Sequence, residues 1–479
     1  MTAHGFSVPL VDERPLCVDL DGTLSRVDTL HEGMLRALKK APADFLRSLP
    51  LALASKARFK RRIAEIAPTP AETLPLNEDV LAYVRAQSEQ GRQVDLVSAA
   101  DQSIVDAVAS RLPFFNRVIG SDGQTNLSAA RKLAAIRDLH AEGFVYAGDS
   151  RADSAIWQAT DQAIVVGTET FARQAIGPAQ LAALFPRALS WRAVWRAVRP
   201  HQWAKNLLLF VPLVLAGQEA VGADFLITLL GFAAFCCIAS AGYIFNDLMD
   251  LDADRAHPKK QFRPFAAGIL TAAEGVVLFA ALILGGGLIA WTLGPVFMAV
   301  CGLYFCGTML YSFWLKRRPL VDIMALASLY TIRIVAGTVL TANTFSFWIF
   351  TFSMFIFASL AILKRYTELM DETIHRTVRK SRGYTATDLP LLLPFGAGSA
   401  VAAALLFVIY LVEERFPSGA YANPELLWLI FPILLFWQMH IWRAALHGKV
   451  QEDPVLFALK DRLSQILGGL SGLVIVASW

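Results

Sequence analysis

The sequence predicts a two-part chain: an N-terminal α/β domain built on a parallel sheet, then an all-α bundle of about nine transmembrane helices. Three observations predict it. The chain of 479 residues is 55% hydrophobic, and its mean hydropathy of +0.46 is too high for a wholly soluble protein. The apolar residues are unevenly spread. Up to about Arg199 they alternate with charges, whereas beyond it uncharged runs of roughly 20 residues recur, the length a bilayer requires. Within the first part, short apolar strands end in clusters of Asp, Ser and Gly, as ligand-binding edges of parallel sheets do. These breaks give an α/β domain over 1–185, a linker or interfacial segment over 186–204, and a membrane domain over 205–479.

The first strand, in "PLCVDLDGTL", is expected over Leu16 to Leu20 and delivers Asp19, Asp21, Gly22 and Thr23 to an exposed turn. Two carboxylates two residues apart at a strand end can serve as nucleophile and general acid. A second strand, "QVDLVSAAD", delivers Ser98, and a third, "GFVYAGDSRAD", delivers Asp149 and Asp153, with Lys132 opening the helix before it. Arg131 is adjacent to Lys132, so either could face a phosphoryl group. Asp122 and Asp161 read as turn and surface residues. The stretch "ARFKRRIAEIAPTPAETLP" is partly basic and amphipathic, a helix either of a small cap subdomain or resting on anionic headgroups.

Nine spans are expected, starting near 205, 224, 269, 293, 320, 345, 390, 426 and 463. The opening "MTAHGFSVPLVDERPL" lacks the apolar core of a cleavable signal, so the N-terminal domain is expected in the cytosol. Loops on that side then carry Arg255, Lys259, Lys260 and Arg263; Lys316, Arg317 and Arg318; Lys364, Arg365, Arg376, Arg379, Lys380 and Arg382; and Arg443, Lys449, Lys460 and Arg462. That asymmetry fits a multi-pass inner-membrane protein with its active sites facing the cytosol. A net charge of +4 gives no argument for nucleic acid. Cys17, in a strand, and Cys236, Cys237, Cys301 and Cys306, in apolar runs, read as reduced core thiols without metal spacing.

After the second span comes "NDLMDLDADRAHPKKQFRP". On a continuous helix Asp247, Asp250 and Asp254 share one face, with Asn246 beside it and Asp252 pointing elsewhere. Three carboxylates on one face repel unless a cation lies between them, and oxygen ligands suit Mg²⁺. His257, Lys259, Lys260 and Arg263 follow at once, so acid and base together read as a diphosphate clamp. Arg333 lies inside a span, where an arginine is costly unless it lines a polar cavity. The aromatic "TFSFWIFTFSMFIF" reads as lipid-facing or bundle core.

Over roughly residues 12–170, the order and spacing of the strand-end motifs resemble the haloacid dehalogenase superfamily of phosphohydrolases. The resemblance implies that Asp19 attacks phosphorus, Asp21 protonates the leaving alcohol, and Ser98 and Lys132 hold phosphoryl oxygens. It also implies a Mg²⁺ site of Asp19, Asp21, Asp149 and Asp153. The stretch "NDLMDLDADRAHPKKQFRPFAAG" resembles the UbiA superfamily of intramembrane transferases, a resemblance covering about residues 195–479 and implying nine helices around a cytosol-facing cavity. Where members of that superfamily carry a second aspartate-rich motif, this chain has "YSFWLKRRPLVDIMALASLYTIRIVAG", with one acid, Asp322, beside Tyr311 and Lys316. That departure, with "RPHQWAKN", "LKRYTEL", "RKSRGYT" and "EDPVLFALKDR", resembles the decaprenyl-phosphate phosphoribosyltransferase branch.

The branch implies phosphoribosyl pyrophosphate as donor and a polyprenyl phosphate as acceptor. Asp247, Asp250 and Asp254 would hold Mg²⁺ on the diphosphate, with Asn246 beside them, and Lys260 and Arg263 would stabilise the leaving group. Lys205, Lys316, Arg333, Lys364 and Arg365 are candidates for the 5-phosphate and lipid phosphate. Asp322 would lie by the substrate, and Tyr366 and Glu368 would contact ribose hydroxyls or pack at a helix end. A Mg²⁺ phosphatase beside such a transferase is expected to remove the 5-phosphate of its lipid product. The rival readings are an aromatic prenyltransferase, a first domain acting on an unrelated phosphate, and a first domain that only senses substrate. Membrane lipids are the expected surroundings, and homo-oligomer formation is left open.

Overall fold

The computed structural model describes residues 13–341, 345–375, 383–450 and 453–479; the expected loop cations Arg376, Arg379, Lys380 and Arg382 lie outside them. The chain divides into two compact units. One runs from the N-terminus through Ala197 and includes Ile244–Leu278; the other comprises Val198–Tyr243 and Phe279–Trp479.

The first unit is built on six parallel strands: β1 (Leu16–Val18), β2 (Val94–Asp101), β3 (Arg117–Ser121), β4 (Val145–Gly148), β5 (Gln162–Gly167) and β6 (Gln180–Pro186), in the order β3-β2-β1-β4-β5-β6. Leu16, Cys17 and Val18 are all fully buried, as a central strand covered on both faces requires. Leu16 pairs with Val94 on one side and Val145 on the other. Chain order reverses across the β1–β4 pair, and such a switch point opens a crevice at the carboxyl ends of the strands. Asp19 and Asp149 directly follow β1 and β4 at that edge, whereas Ser98, expected at the end of its strand, lies inside β2.

Between β1 and β2 the chain forms α1 (Thr29–Lys40), α2 (Pro42–Ala54) and α3 (Lys56–Ile66). Asp28 caps α1 through the His31 N–H, Pro42 opens α2, and Ser55 caps α3 through the Arg58 N–H. Ala37, Phe45, Phe59, Ile63 and Ala67 form their common core, so the basic stretch after Ser55 is a helix of a small helical subdomain. α4 (Glu78–Glu89), α5 (Gln102–Ala109) and α6 (Ala130–Leu139) complete the layers.

Among the described residues, seven helices are long and apolar enough to cross a membrane: Asp224–Met249, Ala272–Thr292, Pro295–Arg317, Val321–Leu340, Phe347–Met370, Ala386–Arg415 and Pro424–Leu446. The expected first span is instead a 3₁₀ stretch, Pro200–Phe210, followed by a single turn, Val211–Leu215. Pro212 lacks the N–H donor that would help join these pieces into one α-helix, while Pro200 opens the first of them. The expected last span is a helix of 17 residues, Arg462–Ser478. Leu284, Trp291 and Leu303 are exposed on spans, as lipid-facing side chains are. The aromatic stretch splits between both expected surroundings: Ile349, Ile356 and Phe357 are buried, while Phe347 and Phe355 are exposed. Cys17, Cys236 and Cys301 are buried free thiols as expected, but Cys306 is exposed, on the outer face of its helix.

Candidate functional sites

At the crevice of the first unit, Asp19 follows β1 and its Oδ1 accepts the Leu20 N–H at 2.8 Å. Its Oδ2 lies 2.8 Å from Lys132 Nζ. Lys132, on α6, also donates to the Tyr146 hydroxyl at 2.8 Å, which donates in turn to Asp153 Oδ1 at 2.8 Å. The Ser150 N–H and hydroxyl hold the other Asp153 oxygen. Lys132 is buried and Arg131 exposed, so the choice between them falls on Lys132. Burial alone would lower the Lys132 pKa, but Asp19 and Asp153 outweigh it and keep the ammonium charged.

Asp19, Asp149 and Asp153 each bring a carboxylate oxygen within 4.8 Å of the others. Burial, followed by the charges of Asp19 and Asp153, pushes Asp149 up to about 8. Crowded, desolvated hard oxygens of this kind fit a divalent cation. Asp21, expected as both acid and metal ligand, is outside the trio: its oxygens accept the Thr29 N–H at 2.9 Å and hydroxyl at 3.2 Å. The turn swings it onto the start of α1 because Gly22, at φ +73, folds back there. Burial and the charge of Asp28 raise Asp21 well above the usual carboxylate range, which favours the protonated form a general acid needs. A Cβ on Gly22 would lie 2.0 Å from Asp149 Oδ2, so only glycine fits. Ser98 is buried in β2 and accepts the Ala100 N–H. Asp122 caps its own turn through the Gln124 and Thr125 N–H groups, and Asp161 pairs with Arg14 at the surface. Tyr146 was not legible in advance, since a tyrosine inside a buried strand gives no local signal.

The acidic segment is also in the first unit. Its helix ends at Met249, and Asp250, at φ −108 and ψ 17, precedes a new short helix, Leu251–Arg255. The break corrects the expected single face. Asp247 and Asp254, both buried, instead meet on Arg263 Nη1, at 3.0 and 2.6 Å, with Lys260 Nζ 3.8 Å from Asp254. Asp250 turns away to Lys39 Nζ at 2.7 Å. Two buried carboxylates converging on one cation fit a divalent ion in donor type and charge; Asp250 stands apart from that pair. Asn246 is half buried, its carbonyl accepting the Asp250 N–H.

In the second unit, Lys205 and Lys364 both reach Asp453 Oδ2, at 2.9 and 3.0 Å, and the Tyr330 hydroxyl lies 3.4 Å from it. Burial would raise Asp453, yet the two lysines hold it below the usual carboxylate range. Arg333 donates to Asn206 Oδ1 and the Tyr304 hydroxyl, each at 2.9 Å, and stacks over the Tyr304 ring. The Leu329 carbonyl takes a further bond, so the charge of this buried arginine is satisfied by polar partners within the bundle. Asp453, Tyr330 and Tyr304 were not singled out by sequence reasoning, although Asp453 stands in the quoted "EDPVLFALKDR". Asp322 and Arg365, expected at the substrate, form an ion pair of 2.8 Å sealed from solvent, with Tyr384 donating to Asp322 and Glu368 pairing with Arg365. Buried charge must be paired, and this pair spends its donors and acceptors inward. Tyr366 packs edge-on against Trp442 in the core, and Lys316 lies half buried in the turn Leu315–Arg317. An apolar groove of about 320 Å³ opens beside Met324, Phe355 and Leu391.

The UbiA prenyltransferase family model matches residues 206–459. The protein y4nM of Sinorhizobium fredii is 38% identical over 465 residues, 95% of this chain and 89% of that one, so the similarity runs through both units. Decaprenyl-phosphate phosphoribosyltransferase of Mycobacterium tuberculosis is 32% identical over 282 residues, covering 57% of this chain and 90% of that protein. Nodulation protein NoeC of Azorhizobium caulinodans is 32% identical over 288 residues, covering 58% and 91%. With the family model spanning more than half of the sequence, and these relatives matched along most of their length, the chain belongs to the UbiA prenyltransferase family of membrane transferases.

Proposed function

We propose that this membrane transferase moves phosphoribose from phosphoribosyl pyrophosphate to a polyprenyl phosphate, and that its N-terminal domain, a phosphohydrolase of haloacid dehalogenase type, removes the 5-phosphate from the product. The observation that carries the transfer reading is the acidic pair Asp247–Asp254 gathered on Arg263 beside Lys260, in a chain similar to phosphoribosyltransferases of polyprenyl phosphate. Asp247 and Asp254 would hold Mg²⁺, which supplies charge neutralisation for a diphosphate leaving group. Arg263 and Lys260 bind the diphosphate oxygens and stabilise the charge that grows there as the ribosyl carbon becomes electron-poor. Lys205, Lys364 and Arg333 bind phosphate groups, and the apolar groove accepts part of an isoprenoid tail. The attacking lipid phosphate is already an anion, so no general base is needed.

In the N-terminal domain, an Asp19 oxygen forms a bond to phosphorus as the P–O bond to the leaving alcohol breaks, and Asp21 gives that alcohol its proton; water, losing a proton to Asp21, then attacks the phosphorus, releasing inorganic phosphate and restoring Asp19. Lys132 steadies the phosphoryl charge, Tyr146 and Ser150 orient Asp153, and Mg²⁺ on Asp19, Asp149 and Asp153 would offset the dianion. Both sites face the cytosol of an inner membrane in this reading. The decisive experiment offers the purified protein phosphoribosyl pyrophosphate with polyprenyl phosphate, or polyprenyl diphosphate with an aromatic acid. Pyrophosphate release from the first pair alone is expected; release from the second alone makes the chain an aromatic prenyltransferase.

A further inference from the structure

α1 carries a charged face that grips the acidic segment, and the two belong to one compact unit. Glu32, Arg36 and Lys39 stand at i, i+4 and i+7 on that helix, so they share a face. Glu32, nearly fully buried, takes a bidentate grip from Arg255 at 2.8 and 2.6 Å and a third bond from Arg36 at 2.9 Å. Arg36 Nε bonds both Asp252 oxygens at 3.0 Å. Lys39 Nζ bonds Asp250 Oδ1 and the Met249 carbonyl, each at 2.7 Å, where the long helix breaks. Three cations and three anions thus interlock, and the buried Glu32–Arg255 pair can hold its place only while both partners are present.

We propose that α1 is a positioning element of the transfer site and that Lys39 is a built-in counter-ion of Asp250, so that the N-terminal domain sets the divalent-cation affinity of the acidic segment. The Asp252 and Arg255 grips fix the short helix that carries Asp254. The Lys39 ammonium holds Asp250 away from the Asp247–Asp254 pair, and its charge repels a cation entering there. The proposal rests on the reading that the acidic segment binds a divalent ion.

The test measures Mn²⁺ binding by electron paramagnetic resonance on the full chain in lipid nanodiscs, in an Asp19→Asn/Asp149→Asn background that strips two carboxylates from the other candidate metal site. Removing one positive charge this close should tighten Mn²⁺ binding about fivefold in Lys39→Gln, a half-exposed position where solvent screens part of the effect. Lys39→Arg should restore the parent affinity. Should Lys39→Gln fail to express, Lys39→Met keeps the aliphatic stem and carries the same expectation. A merely structural Lys39 would lower folded yield and leave the dissociation constant of the folded fraction where it was. If Asp247→Asn or Asp254→Asn weakens Mn²⁺ binding while Lys39→Gln leaves it unchanged or weaker, the role of α1 is overturned and the metal reading stands. If Asp247→Asn, Asp250→Asn and Asp254→Asn all leave Mn²⁺ binding unchanged, the metal reading itself falls and takes this proposal with it.

Discussion

Asp19→Asn separates the two proposed activities. The substitution removes the charged oxygen that attacks phosphorus and the nearest counter-ion of Lys132, which sits 2.8 Å away and is almost wholly buried. Breaking a buried pair ordinarily costs about 3–5 kcal/mol. Here Asp153 remains 3.9 Å from the ammonium, the Tyr146 hydroxyl still accepts from it at 2.8 Å, and the asparagine oxygen can accept a hydrogen bond. The net loss should be nearer about 1–2 kcal/mol, small against the roughly 5–15 kcal/mol that holds a domain together. The variant should therefore fold, lose phosphatase turnover by at least about 10³-fold because no aspartyl-phosphate can form, and keep transferring phosphoribose. Supplied with phosphoribosyl pyrophosphate and polyprenyl phosphate, it should accumulate a lipid that still bears the 5-phosphate, while the unaltered protein yields the dephosphorylated lipid. Mass spectrometry of the extracted lipids distinguishes the two. Identical phosphorylated lipid from both proteins would refute the sequential reading.

Gly22→Ala should abolish phosphatase activity without touching pyrophosphate release, since its Cβ collides with Asp149 and its φ of +73 is strained for any side chain; wild-type phosphatase turnover would show that this turn is not the catalytic one. On the proposed reading, in which the two ammonium groups that meet on Asp453 also bind phosphate, Lys205→Ala and Lys364→Ala should each raise the KM of a phosphorylated substrate about tenfold; steady-state kinetics with an unchanged KM in both would remove the cluster from substrate binding. Without divalent ions Asp149 holds its proton up to about pH 8 against an ordinary 3.8, so the folded state binds more protons than the unfolded one across that window. Its stabilising contribution is full below 3.8 and lost as pH rises through 8. Amide exchange of β4 in chelator should accordingly show less protection above pH 8 than near neutrality, and Mg²⁺ should restore more at the higher pH; equal restoration at both would count against a metal on Asp149.

The sequence by itself determined what local pattern and composition can carry. Apolar runs of membrane length located, to within a few residues, the seven helices long enough to cross a membrane among the described residues, because burying a backbone in lipid demands a long uncharged helix. The run Leu16–Val18 ending at Asp19 marked the central strand and its acidic exit, since a strand covered on both faces must be apolar until it emerges. The strands β3, β5 and β6 were not separately legible, being flanking strands whose pattern is shared by other buried segments. Tertiary structure alone decided the rest. A three-carboxylate helix face is what the spacing of Asp247, Asp250 and Asp254 implies, but the break at Asp250 sends one acid to Lys39 and leaves two on Arg263. The sealing of Asp322 against Arg365, and the meeting of Lys205 and Lys364 on Asp453, join residues far apart in the chain. So does the grip of Glu32 on Arg255. Periodicity reports which side of an element is buried; which charge neutralises which is chosen by packing, because a desolvated ion takes whatever opposite charge the fold brings within reach.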